Sequence, residues 1–295
     1  MQILRGRRST LYHLAVSPDS RYVAAGGSRE LHVWDLHDPD AEPTRDAESS
    51  STLQFLSDGR LFADARDGWR LLDPVGGRTV RWQRPVAQHG GGSASPCGRF
   101  VLQPETPGGL CCWRLSEDGL GLHRELAWSL PEVSETTTSV FAPDSESFAL
   151  SGWTPGDGPK PWTIHRTADG QPLARLEGRG KYYYATAFTP DGRKFLAGVQ
   201  SGVFEWDARA GGASRVAVRH PTGRHFRSVA VHPGGATLAG ITGDNGVSLF
   251  DLASGGLLRT YDWQVGPLEH VAFTPDGTRC VVAGSSGKVL IFDVE

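Results

Sequence analysis

Thr189-Pro190-Asp191-Gly192 and Thr274-Pro275-Asp276-Gly277 are two copies of one tetrad, each set between apolar runs. Proline presets φ at the second position of a turn. Aspartate bonds nearby backbone, and glycine accepts the positive φ from which the next strand departs. Each copy therefore reads as the tip of a β-hairpin. Divergent copies stand at Ser17-Pro18-Asp19-Ser20, Ala142-Pro143-Asp144-Ser145 and His232-Pro233-Gly234-Gly235. Weaker ones are Leu56-Ser57-Asp58-Gly59 and Ser95-Pro96-Cys97-Gly98. Their second residues are 18, 57, 96, 143, 190, 233 and 275, a recurrence of 39 to 47 residues. A repeat of about 40–45 residues is the size of a four-stranded propeller blade.

Blade one shows the internal order. His13 to Val16 enters the turn, Arg21 to Gly27 leaves it, and Leu31 to Leu36 follows after a polar turn. These are strands a, b and c. Residues 37–50 are acidic and hold Pro39 and Pro43, so the fourth strand, d, is expected to be short. The c strands carry a second recurring mark, an apolar or aromatic residue followed by Asp. It reads Trp34-Asp35, Leu72-Asp73, Trp206-Asp207, Phe250-Asp251 and Phe292-Asp293, with Trp113-Arg114 and Ile164-His165 in the remaining two repeats. From the tetrad's second residue to the end of the mark is 16 to 18 residues in six repeats and 22 in the fourth. There the segment from Trp153 to Pro161 inserts a Pro/Gly-rich loop between b and c.

Together these turns and marks resemble the WD-repeat β-propeller family over nearly the whole chain. The Gly-His pair that opens family repeats is missing, and the Trp survives in three c strands, at Trp34, Trp113 and Trp206. The family's internal hydrogen-bond tetrad is therefore mostly absent, and apolar packing between blades is expected to carry more of the stability. The expected fold is all-β, a seven-bladed β-propeller of four-stranded antiparallel blades. The blades are expected over about 9–50, 51–88, 89–131, 132–178, 179–220, 221–264 and 265–295, the last completed by residues 1–7. The last repeat stops at its c strand, whereas Gln2 to Gly6 resembles the d strands Pro172 to Leu176 and Leu257 to Tyr261. The N-terminal strand should thus close the ring and remove its free edges.

Composition limits the function classes. The 295 residues include 30 basic and 33 acidic side chains, a net charge of −3, which gives no basic footprint for nucleic acid. The N-terminus lacks the apolar core of a secretory signal, and no run of 18 apolar residues exists to span a membrane. Four cysteines (Cys97, Cys111, Cys112 and Cys280) follow neither a disulfide framework nor a zinc spacing, so a reducing cytoplasm is expected; separately, the chain is expected to be a monomer. Ten scattered histidines form no metal motif, and no cofactor or catalytic residue is expected. Gly284-Ser285-Ser286-Gly287-Lys288 lacks the spacing of a phosphate loop and reads as a b–c turn.

The family resemblance implies that d–a and b–c loops share one face, here called the top, and that a–b and c–d loops share the other. Unusual content then falls on the top of blades four to six. The d–a loops contribute Lys181, Tyr182 and Tyr184, then Arg224, His225 and Arg227, and the blade-four insertion adds Trp153, Lys160 and Trp162. Equivalent positions in other blades supply Tyr12, His89 and Glu269. Tyr183, Phe226 and Leu11 are assigned to packing between blades. Glu269 would pair either with a partner's basic group or with Arg227. Aromatic and arginine side chains dominate binding hot spots. The expected partner-binding set is Trp153, Lys181, Tyr182, Tyr184, Arg224, His225, Arg227, Glu269 and Tyr12. A basic, aromatic patch of this kind suits a protein or an acidic or phosphorylated peptide. The alternatives are that the tyrosines pack while the arginines solvate loops, or that the chain is a lactonase- or hydrolase-type propeller enzyme. The enzyme would act at the channel mouth through Glu269, His270, Asp244 and His89.

Overall fold

The structure, a computed structural model, describes residues 1–6, 10–27, 30–38, 40–46, 50–65, 68–77, 79–83, 92–104, 109–118, 121–130, 138–151, 161–178, 185–200, 202–220, 223, 225–241 and 245–294. Its strands form seven four-stranded sheets. Strands a to d of blade one are Leu11–Val16, Tyr22–Gly27, Leu31–Asp35 and Thr44–Asp46. Blade two comprises Ser50–Phe55, Leu61–Ala65, Gly68–Leu72 and Thr79–Gln83; blade three, Ser93–Ala94, Phe100–Pro104, Leu110–Asp118 and Gly121–Leu130. Blade four comprises Thr138–Phe141, Ser147–Ser151, Trp162–Arg166 and Pro172–Leu176; blade five, Ala185–Phe188, Lys194–Val199, Gly202–Asp207 and Arg215–Arg219. Blade six comprises Ser228–Val231, Thr237–Ile241, Gly246–Asp251 and Leu257–Asp262. Blade seven takes Leu268–Phe273, Arg279–Gly284 and Lys288–Asp293 from the C-terminal end and Gln2–Arg5 from the N-terminal end.

Closure occurs as expected. Gln2–Arg5 pairs antiparallel with Lys288–Asp293, Leu4 opposite Val289, and the Gly6 amide donates to the Gly287 carbonyl at 3.0 Å. Every sheet runs a-b-c-d in space, and the a strands of neighbouring blades approach one another, so they form the inner wall. The large apolar side chains left exposed on Ile3, Leu126, Leu173, Leu257 and Leu258 all lie on d strands, at the rim.

Each of the seven hydrophobic clusters straddles two adjacent blades, with one cluster for every interface. The cluster joining blades seven and one combines Val281, Ala283 and Ile291 with Leu11, Leu14, Val23 and Trp34, and Leu4 lies within it. An uninterrupted set of interfaces takes the inner part of every sheet out of water, the main driving force available to an all-β ring.

The tetrads are more uniform in structure than in sequence. The fourth residue has positive φ in all seven: Ser20 60°, Gly59 85°, Gly98 72°, Ser145 64°, Gly192 67°, Gly235 76° and Gly277 75°. In the fullest copies the first residue is buried and its hydroxyl organises the turn. Thr189 Oγ1 donates to Asp191 Oδ1 at 2.6 Å and accepts from the Lys194 amide at 3.0 Å; Thr274, Asp276 and Arg279 repeat this at 2.6 and 3.0 Å. These hydroxyl bonds hold the Asp191 and Asp276 carboxyls below the usual carboxylate range.

The two serines at position four are not simply weak glycines. The Ser145 hydroxyl accepts the Cys97 amide at 3.0 Å and the Ser20 hydroxyl accepts the Asp276 amide at 3.1 Å, each linking its turn to that of the preceding blade. The c-strand marks have a similar local cause. Asp207 Oδ1 accepts the amides of Arg209 and Ala210 at 2.8 and 2.7 Å, and Asp251 Oδ1 accepts that of Ser254 at 2.7 Å, so the Asp closes the c–d turn. In blade four His165 takes this place, with Nδ1 2.8 Å from the Gly170 carbonyl.

Candidate binding surface

The a–b and c–d turns share one end of every antiparallel blade, and the d–a and b–c loops share the other. On the latter, top face, the first residues of the inner strands set the geometry. Leu11, Phe226 and Leu268 occupy equivalent positions and are all buried, Phe226 against His220 and Phe250 with ring centroids 4.9 and 5.7 Å away. The packing role expected for Leu11 and Phe226 is therefore observed. Tyr183 lies outside the described residues.

The next residue in each case is Tyr12, Arg227 or Glu269. Register shifts between Leu11 and His13, and between Leu268 and His270, leave Tyr12 and Glu269 as bulge residues without a cross-strand partner. A bulge re-aims the extra side chain away from the ladder. Gly284, at the end of the neighbouring b strand, makes this possible in blade seven: a Cβ there would run into the Pro267 carbonyl. Tyr12 is consequently 48% exposed. Arg227 Nη1 donates to both oxygens of Glu269, at 2.7 and 2.8 Å, the pairing that was one of the two expected for Glu269. Both partners are partly exposed, so the pair contributes only about 0–1 kcal/mol. Its effect is to orient Arg227. Because the a strands of blades six, seven and one adjoin, Arg227, Glu269 and Tyr12 follow one another along the top of the inner wall.

His225, just before Phe226, is half-buried and engaged within the protein. Trp153, Lys160, Lys181, Tyr182, Tyr184 and Arg224 lie outside the described residues, as do His89 and Asp244. Trp162 is a correction to the expected surface. It opens the c strand of blade four, is 1% exposed, and packs its ring 4.8 Å from that of Phe195. The inserted loop therefore ends before Trp162, and its indole belongs to the interface of blades four and five. His220, also within the loop singled out, is buried against Phe226 as well.

Two histidines lie one position deeper. His13 and His270 each precede the first residue of a tetrad by four positions, so aligning the repeats on their turns would have paired them. Burial lowers both pKa values. That of His270 falls to about 4, with a further contribution from His13. Ser228 holds the same position in blade six, where its hydroxyl accepts the Val271 amide of the next blade at 3.2 Å. Among the described residues no group of three or more His, Cys, Asp or Glu is placed to hold a metal ion.

Comparison with known proteins adds one match. The family model described as WD domain, G-beta repeat, matches residues 1–35, which span the closing strand and the a, b and c strands of blade one. A search of curated proteins gives no match. The family match and the seven-bladed ring together support a WD-repeat propeller.

Proposed function

Since the chain is a WD-repeat propeller of seven blades, a fold that generally serves as a protein-interaction scaffold, we propose that it is a non-enzymatic binding module. It captures a protein or peptide segment through the top-face loops of blades four to six, with Arg227, Glu269 and Tyr12 continuing that surface along the inner wall. The observation that carries this reading is the exposed row formed by Tyr12, Glu269 and Arg227, two of them lifted out of the ladder by bulges. An oriented guanidinium and an aromatic on the same rim suit an acidic or phosphorylated side chain accompanied by apolar ones. The four free cysteines support a reducing, cytoplasmic setting.

The test is affinity capture from the native cell with wild-type protein and a Tyr184→Ala/Arg227→Ala double variant of equal melting temperature. Loss of at least nine-tenths of a captured partner from the variant is expected. Equal capture by both proteins would remove these loops from the binding surface. Phosphatase treatment of the lysate then separates a phosphorylated partner, which is lost, from an acidic one, which is retained.

A further inference from the structure

The bottom face holds inter-blade grooves of its own, and they differ in how their charges are disposed. Between blades five and six a groove of about 620 Å³ contains Lys194 and Arg215, but both are bound to the buried Glu205 carboxylate. A smaller groove of about 360 Å³ between blades one and two holds Arg60, which is bound to Asp58. Their cations are already satisfied within the chain.

The groove across blade four is different. It measures about 760 Å³ and runs from blade three to blade five. Arg99 of blade three and Arg209 of blade five line its two sides, both exposed. Among the described residues neither has a carboxylate within ion-pair distance; the Arg99 guanidinium bonds the Cys97 sulfur. Asp144 and Glu146, from the blade-four turn, lie between them in ring order, exposed and, among the described residues, without a basic partner. A third arginine, Arg166, is taken by Asp169 at 2.9 Å. The lining thus presents positive, negative and positive charge on three successive blades. Between them are apolar surfaces from the half-buried Phe100 and from Leu173, the latter 47% exposed on the outer strand.

Side chains of opposite sign that line one groove without an ion pair among the described residues are complemented by a ligand of inverse pattern, which gains charge-assisted bonds without breaking an internal ion pair. We propose that this groove is a second binding site, on the face opposite the top loops, for an extended peptide segment of a partner protein. The segment carries two acidic residues flanking a basic one, with apolar residues between. The acidic residues meet Arg99 and Arg209, the basic one meets Asp144 and Glu146, and the apolar ones cover Leu173 and Phe100. The volume lies within the range of built ligand sites, about 300–1,000 Å³.

The site carries its own reporter. Cys97 is half-buried while Cys111, Cys112 and Cys280 are buried, and it adjoins Arg99 and Ser145. Burial would raise its pKa, but bonds from Ser95, Arg99 and Ser145 outweigh this and bring it to about 7, so alkylation by iodoacetamide at neutral pH is expected at this thiol.

An array of nine-residue peptides with a fixed Glu-x-Lys-x-Glu core, x drawn from Leu, Val, Phe and Ala, is probed with the full chain. The control array carries the inverse core, Lys-x-Glu-x-Lys. At least tenfold stronger retention on the first array is expected, and the best peptide should slow Cys97 alkylation at least threefold. Arg99→Glu/Arg209→Glu should abolish the preference, and Leu173→Asp, on the solvent-facing rim, should weaken retention without lowering the melting temperature. Tyr12→Ala on the top face should leave both readouts unchanged, which separates this site from the one proposed above. Equal retention on the two arrays, unprotected Cys97, or insensitivity to both groove variants would each overturn the proposal.

Discussion

On the bottom face seven turns, with six different sequences among them, share a positive φ at the fourth residue and a backbone bond from it to the first. On the top face, among the described residues, the d–a loops before blades one, six and seven have in common a buried apolar residue, Leu11, Phe226 or Leu268, followed by an unlike side chain, Tyr12, Arg227 or Glu269. The bottom turns satisfy themselves: in all seven the fourth residue has positive φ and its amide donates to the carbonyl of the first, and in the fullest copies a buried hydroxyl and a carboxylate complete the closure within six residues. Where Ser replaces Gly at the fourth position, the strain of positive φ in a side-chain-bearing residue is offset by a bond to the preceding blade. Among the described residues, the top loops repeat no single closing pattern from blade to blade. Their shape depends on what each blade presents to its neighbour, as at Phe226, and on bulges that free one side chain, as at Tyr12 and Glu269. Local chemistry repeats; chemistry that depends on neighbours diverges.

The strongest way to break this contrast is to open the ring, because both faces exist only in the closed form. Deleting residues 1–7 removes Leu4 from the interface of blades seven and one and bares the edge of Lys288–Asp293. A fall in melting temperature of at least about 10 °C, seen by circular dichroism, is expected from a loss of several kcal/mol. An unchanged melt would mean that closure contributes nothing.

Next in size is a pair of substitutions at neighbouring top-face positions. Phe226→Ala should cost about 3–5 kcal/mol in urea unfolding, as for other buried aromatics, whereas Tyr12→Ala should stay within about 0.5 kcal/mol. Similar values for both would show that the top face is not divided into packing and presenting positions. On the bottom face, Thr189→Val deletes the hydroxyl that serves both Asp191 and the Lys194 amide. It should cost about 1–3 kcal/mol. Ser145→Gly should be near neutral, within about 0.5 kcal/mol, because relief of strain and loss of the Cys97 link oppose each other.

Acid sharpens the comparison at the smallest scale. His270 has a folded pKa of about 4, below its ordinary value of 6.5, so the unfolded chain binds a proton that the folded ring refuses. Stability should therefore fall as pH drops from about 6.5 to about 4, and His270→Gln should flatten that slope. Below the ordinary aspartate value of 3.8, Asp191 and Asp276 act in the same direction, because their folded pKa values are depressed and the stability they contribute is lost as they protonate. A urea midpoint that does not change between pH 7 and 4.5 would contradict the desolvation of His270.

Legibility in the sequence followed the same division. Blade number, strand order and ring closure could be read because Pro-Asp-Gly turns and aromatic-Asp marks encode their own geometry within a few residues. The packing assigned to Leu11 and Phe226 followed from their fixed distance to the turn. Trp162 was misread as surface because its burial comes from Phe195, a residue 33 positions away in the next blade, and no local pattern reports it. The unpaired charges of Arg99, Asp144 and Arg209 were likewise invisible, since each looks like any solvated turn residue until three blades are set side by side.

The amino-acid sequence by itself determined the repeat, the turns and the closing strand, since these rest on φ preferences, short hydrogen bonds and strand alternation. Only the tertiary structure decided which aromatic side chains face water and which turn charges remain unpaired. It also showed that the serines in the imperfect tetrads link neighbouring blades. Each of these depends on the distance between residues far apart in the chain, 33 positions for Trp162 and Phe195 and 48 for Cys97 and Ser145, brought together when one blade packs on the next.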